Sequence, residues 1–65
     1  MTYYKVETRY VDESVWYPLP GAHTSIDAAI KDATRHYQMW GERLSVRVVQ
    51  VGKQEPLYVL AAGCA

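Results

Sequence analysis

The chain of 65 residues has no phenylalanine, one cysteine, no excess charge and no long apolar run. Cys64 has no partner, so no internal disulfide can supplement the core. Seven basic and seven acidic residues balance, which argues against the basic surface of a dedicated duplex-DNA-binding module. The longest apolar stretch, residues 57–64, is far shorter than the roughly 20 residues of a membrane-spanning helix. The N-terminus lacks the form of a signal peptide, so we expect a soluble cytoplasmic protein.

The length of the chain predicts a single domain over residues 1–65 with one small core. No linker, repeat or low-complexity segment divides it. A chain of this size buries only about 60% of the surface that its unfolded form exposes. We therefore expect marginal stability unless association with another molecule adds to the core.

Side-chain periodicity predicts four strands and one helix. Residues 2–11 alternate as a strand does, and residues 15–17 form a short edge strand that stops at Pro18. Residues 43–51 and 57–62 form two more strands, the last opened by Pro56. Between the two strand pairs, apolar residues recur at helical spacing: Ile26, Ile30, Ala33, Tyr37 and Trp40, with Ala29 widening the stripe. The predicted fold is α+β, a four-stranded antiparallel sheet with one α-helix packed on one face.

The ends of the helix carry recognisable signals. Thr24 or Ser25 can cap its start by accepting a hydrogen bond from a first-turn amide, and Asp27 suits the positive end of the helix dipole. Gly41 is predicted to end the helix in the left-handed conformation.

Loop lengths predict the register of both hairpins. Pairing Tyr10 with Val15 directs Tyr4, Val6, Tyr10, Val15 and Tyr17 toward the helix and Trp16 away from it, beside Arg9. A four-residue loop at 52–55 sets Tyr58 opposite Val49 and Leu60 opposite Arg47, which places Leu57 and Val59 in the core.

One helix covers one face of such a sheet, so the second face is predicted to be bare. Its expected residues mix aromatic, basic and β-branched types: Tyr3, Lys5, Glu7, Arg9, Trp16, Arg47, Val49, Val51, Tyr58 and Leu60. Tyr, Trp and Arg are enriched at binding hot spots. Exposed apolar side chains on strands can, however, also reflect only the preference of those residues for strands. A contiguous apolar cluster favours contact with a protein, including a second copy of the chain. The predicted partner-binding residues are Tyr3, Arg9, Trp16, Arg47, Val49 and Tyr58.

Catalytic, metal-binding and cofactor-binding chemistry is not predicted. His23, His36 and Cys64 do not fall at metal-ligand spacings, and we expect both imidazoles to be solvated or half-buried, with His36 near Asp32. Asp12 and Glu13 are adjacent in a hairpin loop, where water would solvate both carboxylates. The chain has no glycine-rich phosphate loop and no activated nucleophile, so we predict that it is not an enzyme and needs no cofactor.

Single-stranded nucleic acid is the main alternative ligand. Open sheets stack bases on exposed aromatic rings, and Tyr3, Trp16 and Tyr58 beside basic residues imitate that arrangement. The zero net charge and the absence of a basic-Gly-aromatic signature count against it. A local excess of basic residues after Ala33 keeps this alternative open.

Several segments resemble small proteins of phages and prophages: residues 4–16, Thr24-Ser25-Ile26-Asp27-Ala28-Ala29, Val46-Arg47-Val48-Val49 and Tyr58-Val59-Leu60. Some of those proteins are anti-CRISPR inhibitors, which act by occluding a surface of a host defence complex. The resemblance implies a stoichiometric binder without identifying its target. Tyr17-Pro18-Leu19-Pro20-Gly21 before the helix is similar to HicB-type antitoxins, although the order of elements differs. That similarity implies a homodimeric regulatory protein as a further alternative.

Overall fold

The alternating segments at both ends of the chain pair into one antiparallel sheet. The computed structural model describes residues 2–63. Its strands are β1 (Tyr4–Tyr10), β2 (Tyr17–Pro18), β3 (Leu44–Gln50) and β4 (Pro56–Leu60), and its helix is α1 (Ile26–Trp40). The strand order is β2-β1-β3-β4, and α1 packs across one face, mainly on β3 and β1. The predicted α+β fold is confirmed. Cys64 lies outside the described residues.

Two alanines bring α1 close to the sheet. Ala29 and Ala33 are fully buried in one cluster with Val6, Val46 and Val48. Alanine at both positions leaves room for valine side chains beneath the helix, so the layers interlock at short range. Partly buried side chains surround this centre: Tyr4, Leu19, Ile30, Tyr37 and Tyr58. The ends of the predicted helix stripe are wrong, because Ile26 and Trp40 are exposed.

The predicted register of the first hairpin is confirmed. Glu7 pairs with Pro18 and Thr8 with Tyr17, which is the alignment that would set Tyr10 opposite Val15. β2 is shorter and later than predicted, and it contains Pro18, which an edge strand tolerates. Tyr10, Val15 and Tyr17 nevertheless stay exposed, contrary to the prediction for the core.

The predicted register of the second hairpin is wrong by one residue. Val48 pairs with Tyr58 and Arg47 with Val59, and an irregularity follows between Val48 and Val49, which pairs with Pro56. The turn occurs earlier than predicted: the Lys53 amide donates to the Gln50 carbonyl at 2.9 Å, with Gly52 at φ 90°. Only glycine adopts that backbone conformation readily, so Gly52 sets the turn.

The one-residue shift exchanges the two faces of β4, because side chains alternate along a strand. Tyr58 and Leu60 lie on the helix side, and Tyr58 packs against the core. Val59 lies on the opposite face, opposite Arg47, and both Val59 and Leu57, which has no partner at the irregularity, are exposed. A Tyr58→Ser change should therefore disturb the core rather than only weaken association.

The helix ends differ from the sequence signals. Ser25 occupies the cap position with extended backbone, but its side chain makes no capping hydrogen bond. Gly41 is right-handed, with φ −62°, not left-handed. Its amide donates to the Tyr37 carbonyl at 2.7 Å, and its carbonyl accepts from the Gly63 amide at 2.9 Å. The helix end is thus tied to the segment after β4.

Glycine is needed at position 41 because a side chain would not fit there. Its backbone angles would suit any residue. A Cβ atom there would overlap the Tyr37 carbonyl oxygen and stand 3.0 Å from two carbons of the Tyr37 ring. We expect Gly41→Ala to lower the free energy of unfolding by about 1–2 kcal/mol, although alanine is the better helix former. Chemical denaturation of both proteins measures the difference. Increased stability in the variant would show that Tyr37 moves aside without cost.

Candidate interaction face

The sheet face opposite α1, here called the open face, is built by the odd-numbered positions of β1 and β3. Antiparallel pairing sets Arg9 opposite Ser45, Glu7 opposite Arg47 and Lys5 opposite Val49. Cross-strand partners share a face, and their neighbours Val6, Val46 and Val48 point to the core. Val59 joins this face opposite Arg47.

An ion pair lies at the centre of the open face. Arg47 donates from Nε and Nη2 to Oε1 of Glu7, both at 2.7 Å. The two side chains are about one-fifth exposed, 22% and 19%, so water screens them less than it would a fully exposed pair. The carboxylate fixes the Arg47 side chain in place and offsets its charge.

Trp16 packs over two guanidinium groups on this face. Its ring centroid lies 4.2 Å from Cζ of Arg47 and 5.3 Å from Cζ of Arg9. Arg9 also donates to the Glu13 carbonyl at 2.7 Å, which holds the loop between β1 and β2 against the sheet. The predicted placement of Trp16 on the face away from the helix, beside Arg9, is confirmed. Cation–π contact of this kind stabilises the ring position by about 1 kcal/mol.

Glu13 has a second role at the same hairpin. Tyr17 donates a hydrogen bond from its hydroxyl to Oε2 of Glu13 at 3.3 Å. The negative charge of Glu13 and this hydrogen bond raise the pKa of the Tyr17 phenol, so the hydroxyl stays protonated and remains a donor.

The six predicted partner-binding residues do not all share one surface. Arg9, Trp16 and Arg47 come together as a cluster. Val49 is on the open face but only 7% exposed, so little of it is available to a partner. Tyr3 is exposed, and its carbonyl accepts from the Val51 amide at 2.8 Å. The prediction for Tyr58 is wrong, because the shifted register directs its side chain toward the core.

Three exposed apolar side chains lie on β4 or in the turn before it, and we call them the apolar strip. Val51, Leu57 and Val59 are 49%, 48% and 50% exposed. Val51 was predicted on the open face, whereas Leu57 and Val59 had been assigned to the core. The irregularity between Val48 and Val49 causes the difference, and no pattern in the sequence signalled it.

A separate polar cluster surrounds Asp32 on the helix. His23 Nε2 lies 3.2 Å from Oδ2, Arg35 donates to Oδ1 at 2.6 Å, and His36 Nε2 lies 3.5 Å from Oδ1, as predicted for the i,i+4 pair. Two backbone hydrogen bonds between His23 and Tyr4, at 2.7 and 2.8 Å, attach its loop to β1. Asp32 thus joins the loop before the helix to the helix itself.

The three basic neighbours determine the protonation of Asp32. Burial raises the pKa of its carboxyl, but the hydrogen bonds from His23 and Arg35 and the charge of His36 outweigh burial, so the pKa lies below its ordinary value. A carboxyl whose pKa is depressed on folding stabilises the fold above its unfolded pKa. That contribution disappears as the pH falls through the folded pKa.

We expect Asp32→Asn to lower the free energy of unfolding by about 1 kcal/mol near neutral pH, because the His23 contact is weakened. The gap between the two proteins should shrink as the pH falls from about 5 to about 2, since Asp32 then becomes neutral in the parent as well. Thermal melts across this range measure it. A gap that stays constant would assign the loss to packing rather than charge.

Comparisons with known proteins gave no match. No family model matches it, and neither a curated protein nor a solved structure is similar enough to match. Within residues 2–63, no group of three His, Cys, Asp or Glu side chains is placed to hold a metal ion. The same range has no helix whose length and apolar character would let it cross a membrane. The resemblance to phage proteins stays a prediction.

Proposed function

We propose that this chain is a small non-enzymatic cytoplasmic protein that binds a protein partner through its open face. The observation that carries the proposal is the cluster in which Trp16 packs over Arg9 and Arg47, on the face that α1 leaves uncovered. Trp and Arg are the residue types that most often dominate binding energy at protein interfaces. Val59, half-exposed and opposite Arg47, supplies apolar surface for burial beside the cluster.

The cluster is held in place before any partner arrives. Glu7 fixes Arg47 through two contacts of 2.7 Å, and the Glu13 carbonyl fixes Arg9 at 2.7 Å. Ordering a free arginine side chain at an interface costs roughly 0.5–1.5 kcal/mol, so preorganised side chains bind with a smaller entropic penalty. This supports a rigid binding surface rather than a mobile one.

Site-specific photocrosslinking in cells of the source organism tests the proposal. A benzophenone amino acid at Val51, on the open face, should give a discrete adduct, whereas the same group at exposed Met39 on α1 should not. Trp16→Ala should lower the Val51 adduct yield about tenfold or more, and Trp40→Ala, a matched change at an exposed tryptophan of α1, should leave it unchanged.

Circular dichroism on both tryptophan variants separates lost binding from lost folding. Adducts that form equally from positions 51 and 39, or that survive Trp16→Ala in a folded protein, would contradict the proposal.

Single-stranded nucleic acid is the second candidate, favoured by Trp16 beside two arginines and by Lys5 on the same face. The Glu7 carboxylate at the centre of the cluster and the zero net charge oppose it. Titration of labelled single strands at low and moderate salt separates the two functions. We expect no binding at low salt, and steeply salt-dependent binding would replace the protein-partner proposal.

Two narrower versions rest on resemblance alone. An inhibitor of a host defence complex would be encoded beside phage structural or anti-defence genes. A regulatory protein of the antitoxin type would be encoded beside a toxin gene. The genomic neighbourhood of the coding sequence distinguishes them.

A further inference from the structure

A groove of about 560 Å³ lies between residues 20–23, which lead into α1, and the N-terminal half of that helix. Ala28, Lys31 and Arg35 line its helix side, and their spacing of three and four residues puts them on one helix face. Small-molecule sites in proteins usually enclose about 300–1,000 Å³, so the groove has room for a ligand of modest size.

Small residues leave this space open. Pro20, Gly21 and Ala22 line the groove from the loop, and Ala28 lines it from the helix, where it is exposed. Gly21 has φ 91°, a conformation that glycine adopts readily, and a Cβ atom there would meet no other atom within 4 Å. The groove is therefore bounded by short, mostly apolar groups and is not filled by the chain's own side chains.

The two sides of the groove are fixed relative to each other. His23 forms two backbone hydrogen bonds with Tyr4 of β1, and its Nε2 lies 3.2 Å from Oδ2 of Asp32 on α1. Arg35 donates to Oδ1 of the same carboxylate at 2.6 Å. The depressed pKa of Asp32 keeps this carboxylate charged at neutral pH, so the contacts persist there. The groove thus has its shape before any ligand binds, which reduces the entropic cost of binding.

The charges that line the groove favour an anion. Lys31 and Arg35 contribute two positive charges and Asp32 one negative charge, which leaves one net positive charge. Within residues 2–63 no carboxylate forms an ion pair with Lys31, although Asp27 lies four positions before it. Both oxygens of Asp32 already contact basic side chains, so the carboxylate is less available to a cation.

We propose that this groove binds a small organic monoanion, in which a compact apolar body carries one carboxylate. The carboxylate would lie between the Lys31 ammonium and the Arg35 guanidinium, which keeps several N–H donors besides the one that Asp32 accepts. The apolar body would cover Pro20 and Ala28. One negative charge on the ligand matches the one net positive charge of the groove.

Titration of the isotope-labelled protein with phenylacetate, followed by NMR at constant ionic strength, tests the site. We expect saturable shifts of the Gly21, Ala22 and Ala28 amides with a Kd of about 1 mM, typical of a small ligand in an open groove. Phenylacetamide has the same shape without the charge, and acetate has the charge without the ring. Each should bind at least about fivefold more weakly. No shifts with phenylacetate up to about 10 mM, or equal binding of phenylacetamide, would overturn the proposal.

Two substitutions locate the ligand. Lys31→Glu should weaken phenylacetate binding about tenfold, whereas Lys53→Glu, a matched change at an exposed lysine outside the groove, should leave it unchanged. Ala28→Leu should weaken binding at least about tenfold by filling the groove, and the fold should persist because Ala28 is exposed. Circular dichroism checks the folding of each variant. Unchanged affinity in folded Lys31→Glu or in folded Ala28→Leu would contradict the site.

This inference does not depend on the partner-binding proposal. Trp16 does not line the groove, so Trp16→Ala should leave the phenylacetate titration unchanged. The two proposals therefore fail in different experiments.

Discussion

Replacing Ala33 with leucine should lower the free energy of unfolding by about 3 kcal/mol. Ala33 is fully buried in the same cluster as Val46 and Val48, so three added carbon atoms would have to displace the sheet or force strained rotamers. A domain of this size has about 3–10 kcal/mol in total, so much of the variant should be unfolded at modest temperature. Urea denaturation followed by circular dichroism measures the change.

Ala28→Leu is the matched control, because Ala28 lies on the same helix and is exposed. It adds the same atoms to the solvent side, so we expect a change within about 0.5 kcal/mol. Similar losses at both positions would mean that helix propensity rather than close packing determines the result. No loss at Ala33 would mean that the helix does not approach the sheet this closely.

Truncating Tyr58 should destabilise the fold far more than truncating its neighbour Val59. Tyr58→Ala removes a ring that packs against the core opposite Val48, and we expect a loss of about 2 kcal/mol. Val59→Ala removes a half-exposed side chain and should cost about 0.5 kcal/mol or less at a concentration where the protein is monomeric. For a domain of 60–100 residues, 1 kcal/mol shifts the melting temperature by roughly 4–8 °C.

The comparison of Tyr58 with Val59 decides the register of β4. The loop at 52–55 that the sequence alone favours would put Val59 in the core and Tyr58 outside, and would reverse the two effects. A larger loss for Val59→Ala would therefore contradict the pairing of Tyr58 with Val48. Measuring both variants at low protein concentration keeps self-association from adding to the Val59 effect.

Local chemistry was sufficient for the elements and for one hairpin. The period-2 pattern of β1 and the 4,3 spacing of α1 are set by which residues can share a buried face, and neither depends on distant contacts. The first hairpin keeps the register that its loop suggests, so Trp16 falls beside Arg9 as predicted. The partners that fix Arg47 and Arg9, namely Glu7 and the Glu13 carbonyl, were not predicted.

The sequence predicted the candidate face correctly in β1 and β3 but not in β4. Residues of β1 and β3 are correctly assigned, since long regular strands leave no doubt about alternation. The errors of face are confined to β4, where the irregularity between Val48 and Val49 exchanges both faces. The predicted faces of Tyr58 and Val59 were thus interchanged. Val49 lies on the predicted face but is buried there.

Composition and periodicity alone determine a single α+β unit with one bare sheet face. Side chains return to the same face every 2.0 residues in a strand and every 3.6 in a helix, and these repeats follow from backbone geometry. Packing settles the rest. The irregularity between Val48 and Val49 chooses the face of β4, Ala29 and Ala33 set how closely the helix approaches, and Gly41 fits beneath Tyr37 only without a side chain. These outcomes depend on distances between segments far apart in the chain, which no local pattern encodes.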